Sequence, residues 1–295
     1  MVTELLAAVA AWQTGPPLPV PRSEVAAAAV KGEIVVAGGF LAGGASSGRV
    51  DAYSPERRRW RRLPNLPIAV NHAMAASYRG RLYVVGGYDG RGRVQRRFYV
   101  LAGRRWRQLA PLPVGRAAAG AAVVRDWLYV VGGVAPNRSL ARVAYRYSFR
   151  RRLWSRMPAP TPREHLAVAA DRSRIYAIGG RTGGLDQNLA VVEVFTPPSL
   201  SWVPTPPVPE PRGGTGAAFA GGRIVSVGGE APTGTLRAVY AFSLSAARWT
   251  RLADLPTPRH GLAVVGIGST VYAIAGGDEP GLHVSGRNES LDLRG

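Results

Sequence analysis

Short apolar runs alternate with glycine and proline along this chain, and the alternation has a period. A run of small residues, such as Ala26 to Val30 or Ala121 to Val124, precedes a bulkier run, such as Leu82 to Val85, that ends on a glycine pair. Such pairs stand at Gly38-Gly39, Gly86-Gly87, Gly132-Gly133, Gly179-Gly180, Gly228-Gly229 and Gly276-Gly277, spaced 46 to 49 residues apart. Six tryptophans keep step with them: Trp12, Trp60, Trp106, Trp154, Trp202 and Trp249. Seven residues before five of these stands an aromatic: Tyr53, Tyr99, Tyr147, Phe195 or Phe242. Apolar runs this short, bounded by Gly and Pro, predict strands and not helices. Each period predicts four: a small-residue strand, one entering the glycine pair, one carrying the aromatic, and one beginning at Trp. Proline-rich stretches such as Leu63-Pro64-Asn65-Leu66-Pro67 connect the units. The sixth unit carries one residue more before its glycine pair than the second does, which predicts a bulge at Ala275.

The double glycine, the spaced aromatic and the Trp, in register over six copies, resemble the kelch-repeat β-propeller family, from Trp12 to about Leu293. The resemblance implies an all-β fold, a six-bladed β-propeller of four-stranded antiparallel blades. Small side chains suit strands crowded around an axis, and Trp is large enough to fill the gap between blades. The last unit stops at Glu289-Ser290-Leu291-Asp292-Leu293, which matches a third strand, while Trp12 opens an orphan fourth strand. The N-terminal strand is therefore expected to complete the last blade. Residues 12–295 read as a single propeller domain, and residues 1–11 as an N-terminal extension or signal remnant. Leu5 to Ala11 resembles a signal-peptide core, but Glu4 precedes it and no basic residue does. That favours the cytoplasm over export.

Composition removes several chemistries. The 295 residues include no cysteine, so disulfides, thiolate nucleophiles and a Tyr–Cys copper site are excluded. A Glu-x-x-x-Asp-x-x-x-His iron motif is absent, and no uninterrupted apolar run is long enough for a transmembrane helix. The formal net charge is +20, most of it in residues 1–150. Arginines cluster around three tryptophans: Arg57, Arg58, Arg59, Arg61 and Arg62; Arg96, Arg97, Arg104, Arg105 and Arg107; Arg146, Arg150, Arg151, Arg152 and Arg156. On outer strands these predict a basic rim suited to an anionic polymer or surface. Nucleic acid is not expected as a partner, because no stacking platform or groove-reading helix accompanies the charge.

The candidate site is the start of each first strand, on the face where the resemblance implies ligands bind. The six three-residue windows read Arg22-Ser23-Glu24, Val70-Asn71-His72, Arg116-Ala117-Ala118, Arg163-Glu164-His165, Arg212-Gly213-Gly214 and Arg259-His260-Gly261. Five begin with Arg, whose planar fork suits carboxylate, sulfate or phosphate. The ligand-binding set is thus Arg22, Glu24, Asn71, His72, Arg116, Arg163, Glu164, His165, Arg212, Arg259 and His260, around a positively biased pocket for a protein or an acidic small ligand or glycan. Loops after the glycine pairs add Arg181, Glu230 and His283. The expected function is a non-catalytic binding scaffold, monomeric and without cofactor. The alternative is an acidic-sugar enzyme resembling N-acetylneuraminate mutarotase, with Glu24, Glu164 or His165 shuttling a proton. No metal site is expected: His72 and His165 hold the third window position and His260 the second, and neighbouring residues of a strand point to opposite faces.

Overall fold

The computed structural model describes residues 11–294, so the reading of residues 1–11 as an N-terminal extension or signal remnant lies, but for Ala11, outside the described residues. Six four-stranded antiparallel sheets account for the repeats. The first runs from the innermost strand Ala26–Val30 through Glu33–Ala37 and Val50–Ser54 to the outermost Arg59–Leu63. The next four sheets begin with innermost strands Met74–Tyr78, Gly120–Val124, Ala167–Ala170 and Gly216–Ala220. The sixth comprises Ala263–Ile267, Thr270–Ile274 and Asn288–Asp292, and its outer strand is the N-terminal Gln13–Thr14. Gln13 pairs with Ser290 and Thr14 with Glu289, so the N-terminal strand closes the ring as expected. Innermost strands touch in cyclic order, the first against the sixth, which makes a six-bladed propeller.

Adjacent blades bury six apolar clusters between them, each built from the alternating faces of second and third strands. The tryptophans clasp these junctions. The indole N–H of Trp60 donates to Pro16 O, Trp106 to Pro64 O, Trp154 to Ala110 O, Trp202 to Pro158 O and Trp249 to Pro206 O, all at 2.7–2.9 Å. Trp12 donates to Ala253 O at 2.9 Å and joins the last blade to the fifth. Each partly buried indole N–H finds its acceptor on the connector of the preceding blade.

Each glycine pair is a point of close backbone approach. At Gly39 (φ +101°) a Cβ would lie 2.5 Å from Ser23 O, and at Gly38 (φ +67°) 2.6 Å from Val70 O on the next blade. Only glycine is free of both penalties. The sixth blade departs from the expectation of a bulge. Its ladder is regular up to Ile274–Asn288, and Ala275 and Gly276 then take the places of the pair. Gly276 N donates to Arg22 O as Gly39 N donates to Val70 O. Ala275 sits at φ +63°, fully buried, where the other blades have glycine. A second departure lies in blade two. Its outer hairpin turns on two residues, with Ala102 paired to Arg105, whereas Ser54 pairs with Arg59 in blade one. The shorter turn puts Leu101, not Tyr99, opposite Trp106, while Tyr53 faces Trp60.

Candidate functional site

The third residue of every window has left-handed backbone: Glu24 (φ 50°), His72 (50°), Ala118 (50°), His165 (51°), Gly214 (64°) and Gly261 (56°). This geometry aims each N–H at the preceding blade. His72 donates to Glu24 O (3.0 Å), Ala118 to His72 O (3.1 Å), His165 to Ala118 O (2.9 Å), Gly214 to His165 O (2.9 Å) and Gly261 to Gly214 O (2.8 Å). Val25 N, 3.4 Å from Gly261 O, completes the circle. A belt of peptide groups therefore encircles one end of the axis, around a cavity of about 100 Å³. Below it the channel wall is mainly Ala and Val, with Phe219 among them.

The left-handed residue breaks the strand alternation on which the sequence argument about the histidines rested. The three window histidines consequently converge on Glu24. His72 Nε2 lies 3.2 Å from Glu24 Oε2 and 2.9 Å from His165 Nε2. His260 Nδ1 lies 3.2 Å from Glu24 Oε1, and its Nε2 3.1 Å from Glu279 O. His72 is flanked edge-on by Phe40 and Tyr88, each 5.6 Å away. Its Nδ1 contacts Asn71 Oδ1 at 2.6 Å, and Asn71 Nδ2 donates to Ser46 Oγ. His165 Nδ1 faces Glu164 Oε1 at 3.1 Å. Arg181 bridges Glu164 and Glu230 at 3.2 and 2.8 Å. Arg181 and Glu230, noted in the sequence only as loop residues, belong to the cluster. His283 stands apart, paired with Glu279 and half exposed.

Burial opposes ionisation of Glu24, but its attraction for protons on the neighbouring His72 and His165 rings and the hydrogen bond from His260 outweigh it and hold the carboxyl well below the usual range. Burial pushes His72 down to about 4 against the pull of Glu24. For His260, burial is outweighed by the hydrogen bond to Glu24 and the charges of Glu24 and Glu230, which raise its pKa. Three acidic side chains, Glu24, Glu164 and Glu230, thus gather here against one arginine, Arg181, which pairs with the latter two, and against His260, whose protonated form Glu24 and Glu230 favour.

The five window arginines are elsewhere. Arg22, Arg163, Arg212 and Arg259 are fully buried and Arg116 nearly so, with their guanidinium groups turned into the blades. Arg163 donates to Gly179 O, Ala177 O and Thr161 O and pairs with Glu193. Arg259 repeats the arrangement on Ala275 O, Ala273 O, Thr257 O and Glu289, and Arg22 reaches Gly38 O, Arg49 O and Asp51. Arg212 binds Gly228 O, Ala238 O and Glu210 and lies 4.9 Å from the centre of the Tyr240 ring; Arg116 binds Gly115 O and Val143 O against Tyr145. The expected positively biased ring at the mouth is therefore replaced by an acidic centre. The sequence carried a signal for this: an acid stands 29 or 30 residues after Arg22, Arg163 and Arg259.

A model of the KLHDC2/KLHL20/DRC7 kelch-repeats domain matches residues 118–288, and the kelch motif matches residues 21–67. The chain is 32% identical over 121 residues to Kelch-like protein terF of Aspergillus terreus (strain NIH 2624 / FGSC A1156), covering 39% of this chain and 26% of that one. It is 28% identical over 112 residues to Kelch-like protein 40 of Xenopus tropicalis, covering 38% and 18%. The match thus spans about a quarter or less of these curated relatives. Among solved structures, that titled "Structure of YjhT" superposes with a TM-score of 0.81 at 16% identity, covering 94% of this chain and 96% of the other. With the glycine pairs, the tryptophan clasps and six closed blades in place, the chain belongs to the kelch-repeat family.

Proposed function

We propose that this propeller is a binding scaffold that takes a cationic group of its ligand at the axial mouth, between Glu24, Glu164 and Glu230. The observation that carries this reading is the one-sided placement of charge. Ionisable side chains converge on one end of an axis otherwise walled by small apolar residues. Desolvating them weakens the fold, so they are poorly explained by stability and better by recognition. The cavity at the axis is small, about 100 Å³, and the window arginines that were expected to hold a sugar carboxylate are committed inside the blades. An acidic-sugar enzyme would therefore have to hold its substrate's carboxylate by groups other than the window arginines. The exposed arginines at Arg57, Arg58, Arg59, Arg104 and Arg105 support a second, separate contact with a polyanion at the rim.

The test is a thermal-shift and calorimetric series with short Arg- and Lys-containing peptides, N-acetylneuraminate, glucuronate and heparin, each at low and high salt. Cationic peptides should shift the protein, and Glu24→Gln/Glu230→Gln should abolish the shift. Heparin binding at the rim should collapse with salt. A salt-tolerant shift with an acidic sugar and none with the cationic peptides would overturn the reading.

A further inference from the structure

The contacts at the centre of the mouth are short of a positive charge. Asn71 Nδ2 is committed to Ser46 Oγ, so Asn71 presents Oδ1 to His72 and accepts its Nδ1–H. The neutral ring then has a bare Nε2. That nitrogen faces His165 Nε2 at 2.9 Å and Glu24 Oε2 at 3.2 Å. His165 has two neutral tautomers, and both conflict with their surroundings. With the proton on Nδ1, facing Glu164, two bare ring nitrogens and a carboxylate oxygen point at one spot. With it on Nε2, a bare Nδ1 confronts the Glu164 carboxylate at 3.1 Å. Nδ1 is buried and has no well-formed hydrogen bond. An added cation removes the conflict.

We propose that Glu24, His72 and His165 bind a divalent first-row transition-metal ion at the axis. Our reading of the mouth as a cation-binding site underlies this inference. The three donor atoms lie within 4.8 Å of one another. Metal–nitrogen and metal–oxygen bonds of about 2.0–2.2 Å put neighbouring ligand atoms about 2.9 Å apart in an octahedron and about 3.4 Å apart in a tetrahedron. The two contacts at His72 fall within that interval. Two imidazoles and one carboxylate form a donor set that leaves positions open on the metal. Those positions face the axial cavity, which has room for about three waters. Two of the ligands also have orienting hydrogen-bond partners, as metal ligands generally do: Asn71 for His72 and His260 for the second oxygen of Glu24, while Glu164, held by Arg181, stands 3.1 Å from His165 Nδ1. All three ligands occupy the left-handed position of their windows, where a side chain other than glycine is strained; strain of this kind gathers at functional sites.

The experiment starts from full-length protein stripped with a chelator and dialysed. Co²⁺ is titrated with detection by its visible absorption, then displaced by Zn²⁺, with metal content measured per chain. One ion per chain is expected, with a Co²⁺ spectrum of mixed nitrogen and oxygen ligation. His72→Ala, His165→Ala and Glu24→Gln should each weaken binding at least 100-fold, and Asn71→Ala about 10-fold. His283→Ala, outside the cluster, should bind as the parent does. Circular dichroism melts identify variants that have unfolded; for any that has, His72→Gln or His165→Gln replaces it. Parent and His72→Ala titrations that superimpose, or parent protein that binds no Co²⁺, would refute the metal site. Ring ¹⁵N shifts showing His165 doubly protonated in Zn²⁺-saturated protein would do the same, since a shared proton would then be the missing charge. The cationic-peptide series decides the broader reading separately: peptides that still bind stripped protein, and fail with Glu24→Gln/Glu230→Gln, would leave the cation site standing without its metal.

Discussion

Arg163 provides the sharpest test of the claim that the window arginines hold blades together and do not bind ligand. Arg163→Met keeps the volume of the aliphatic stem and removes the guanidinium. Three carbonyls then lose their donor: Gly179 at 2.7 Å, Thr161 at 2.8 Å and Ala177 at 3.0 Å. Glu193 keeps only the backbone N–H and hydroxyl of Thr161, at 3.1 and 3.2 Å. Breaking a buried ion pair from one side costs about 3–5 kcal/mol. The carbonyls alone, at roughly 1 kcal/mol each, reach the lower end of that range. For a chain of this size about 4 kcal/mol corresponds to a fall in Tm of roughly 8 °C. Removing both charges with Arg163→Met/Glu193→Leu leaves no buried carboxylate, so the double variant should be more stable than the single one, with a coupling of about 1–3 kcal/mol in the cycle. The exposed Arg151→Ala serves as control and should stay within about 0.5 kcal/mol of the parent. Urea titrations followed by Trp fluorescence read all five proteins: the parent, Arg163→Met, Glu193→Leu, the double variant and the Arg151→Ala control. An Arg163→Met variant within 1 kcal/mol of the parent would show the guanidinium to be dispensable and would return Arg163 to the list of candidate ligand contacts.

Two other substitutions probe the frame. Ala275→Gly relieves a left-handed alanine, worth about 1–2 kcal/mol, against about 0.5–1 kcal/mol of added chain entropy in the unfolded state; calorimetry should show Tm rising by about 1 °C, and a clear fall would mean that the buried methyl matters more than the strain. Deleting residues 1–20 removes the strand of Gln13 and Thr14, the Trp12 clasp, the buried Leu18 and the Pro16 carbonyl that accepts from Trp60 and Asn288. Its melt should fall by more than 10 °C or lose cooperativity, and an unchanged melt would contradict closure by the N-terminal strand.

The frame was legible because its markers act through size and backbone freedom, which residue type alone reports. A Trp every 46 to 48 residues needs a gap to fill, and a glycine pair needs a close approach, whichever blade it stands in. The errors arose where identity and register separate. Tyr99 has the right spacing from Trp106, but a hairpin shortened by two residues moves Leu101 into the facing place. Gly276-Gly277 repeats the motif in letters, while Ala275-Gly276 repeats it in backbone. A period counted from the residue that turns left-handed, and not from the residue type, would have kept the sixth blade in line.

The site was misread for a related reason, and the two misreadings share one cause. Treating the window as extended strand sent the first and third residues to one side and the second to the other. The left-handed third residue reverses that arithmetic. It leaves Arg22, Arg163 and Arg259 pointing back between second and third strands, where Asp51, Glu193 and Glu289 await them. It also turns Glu24, His72 and His165 towards the axis and lets His260, one position earlier on its own blade, meet them. The acid partners of the arginines were visible as a spacing of 29 or 30 residues, and a pairing test on that spacing would have removed the arginines from the mouth. What no spacing reveals is the belt of peptide hydrogen bonds that forces the turn, because it links residues of neighbouring blades through groups that every residue carries. The approach of His72 and His165 to Glu24 depends on that belt, so the chemistry at the axis is a property of the closed ring and not of any one repeat.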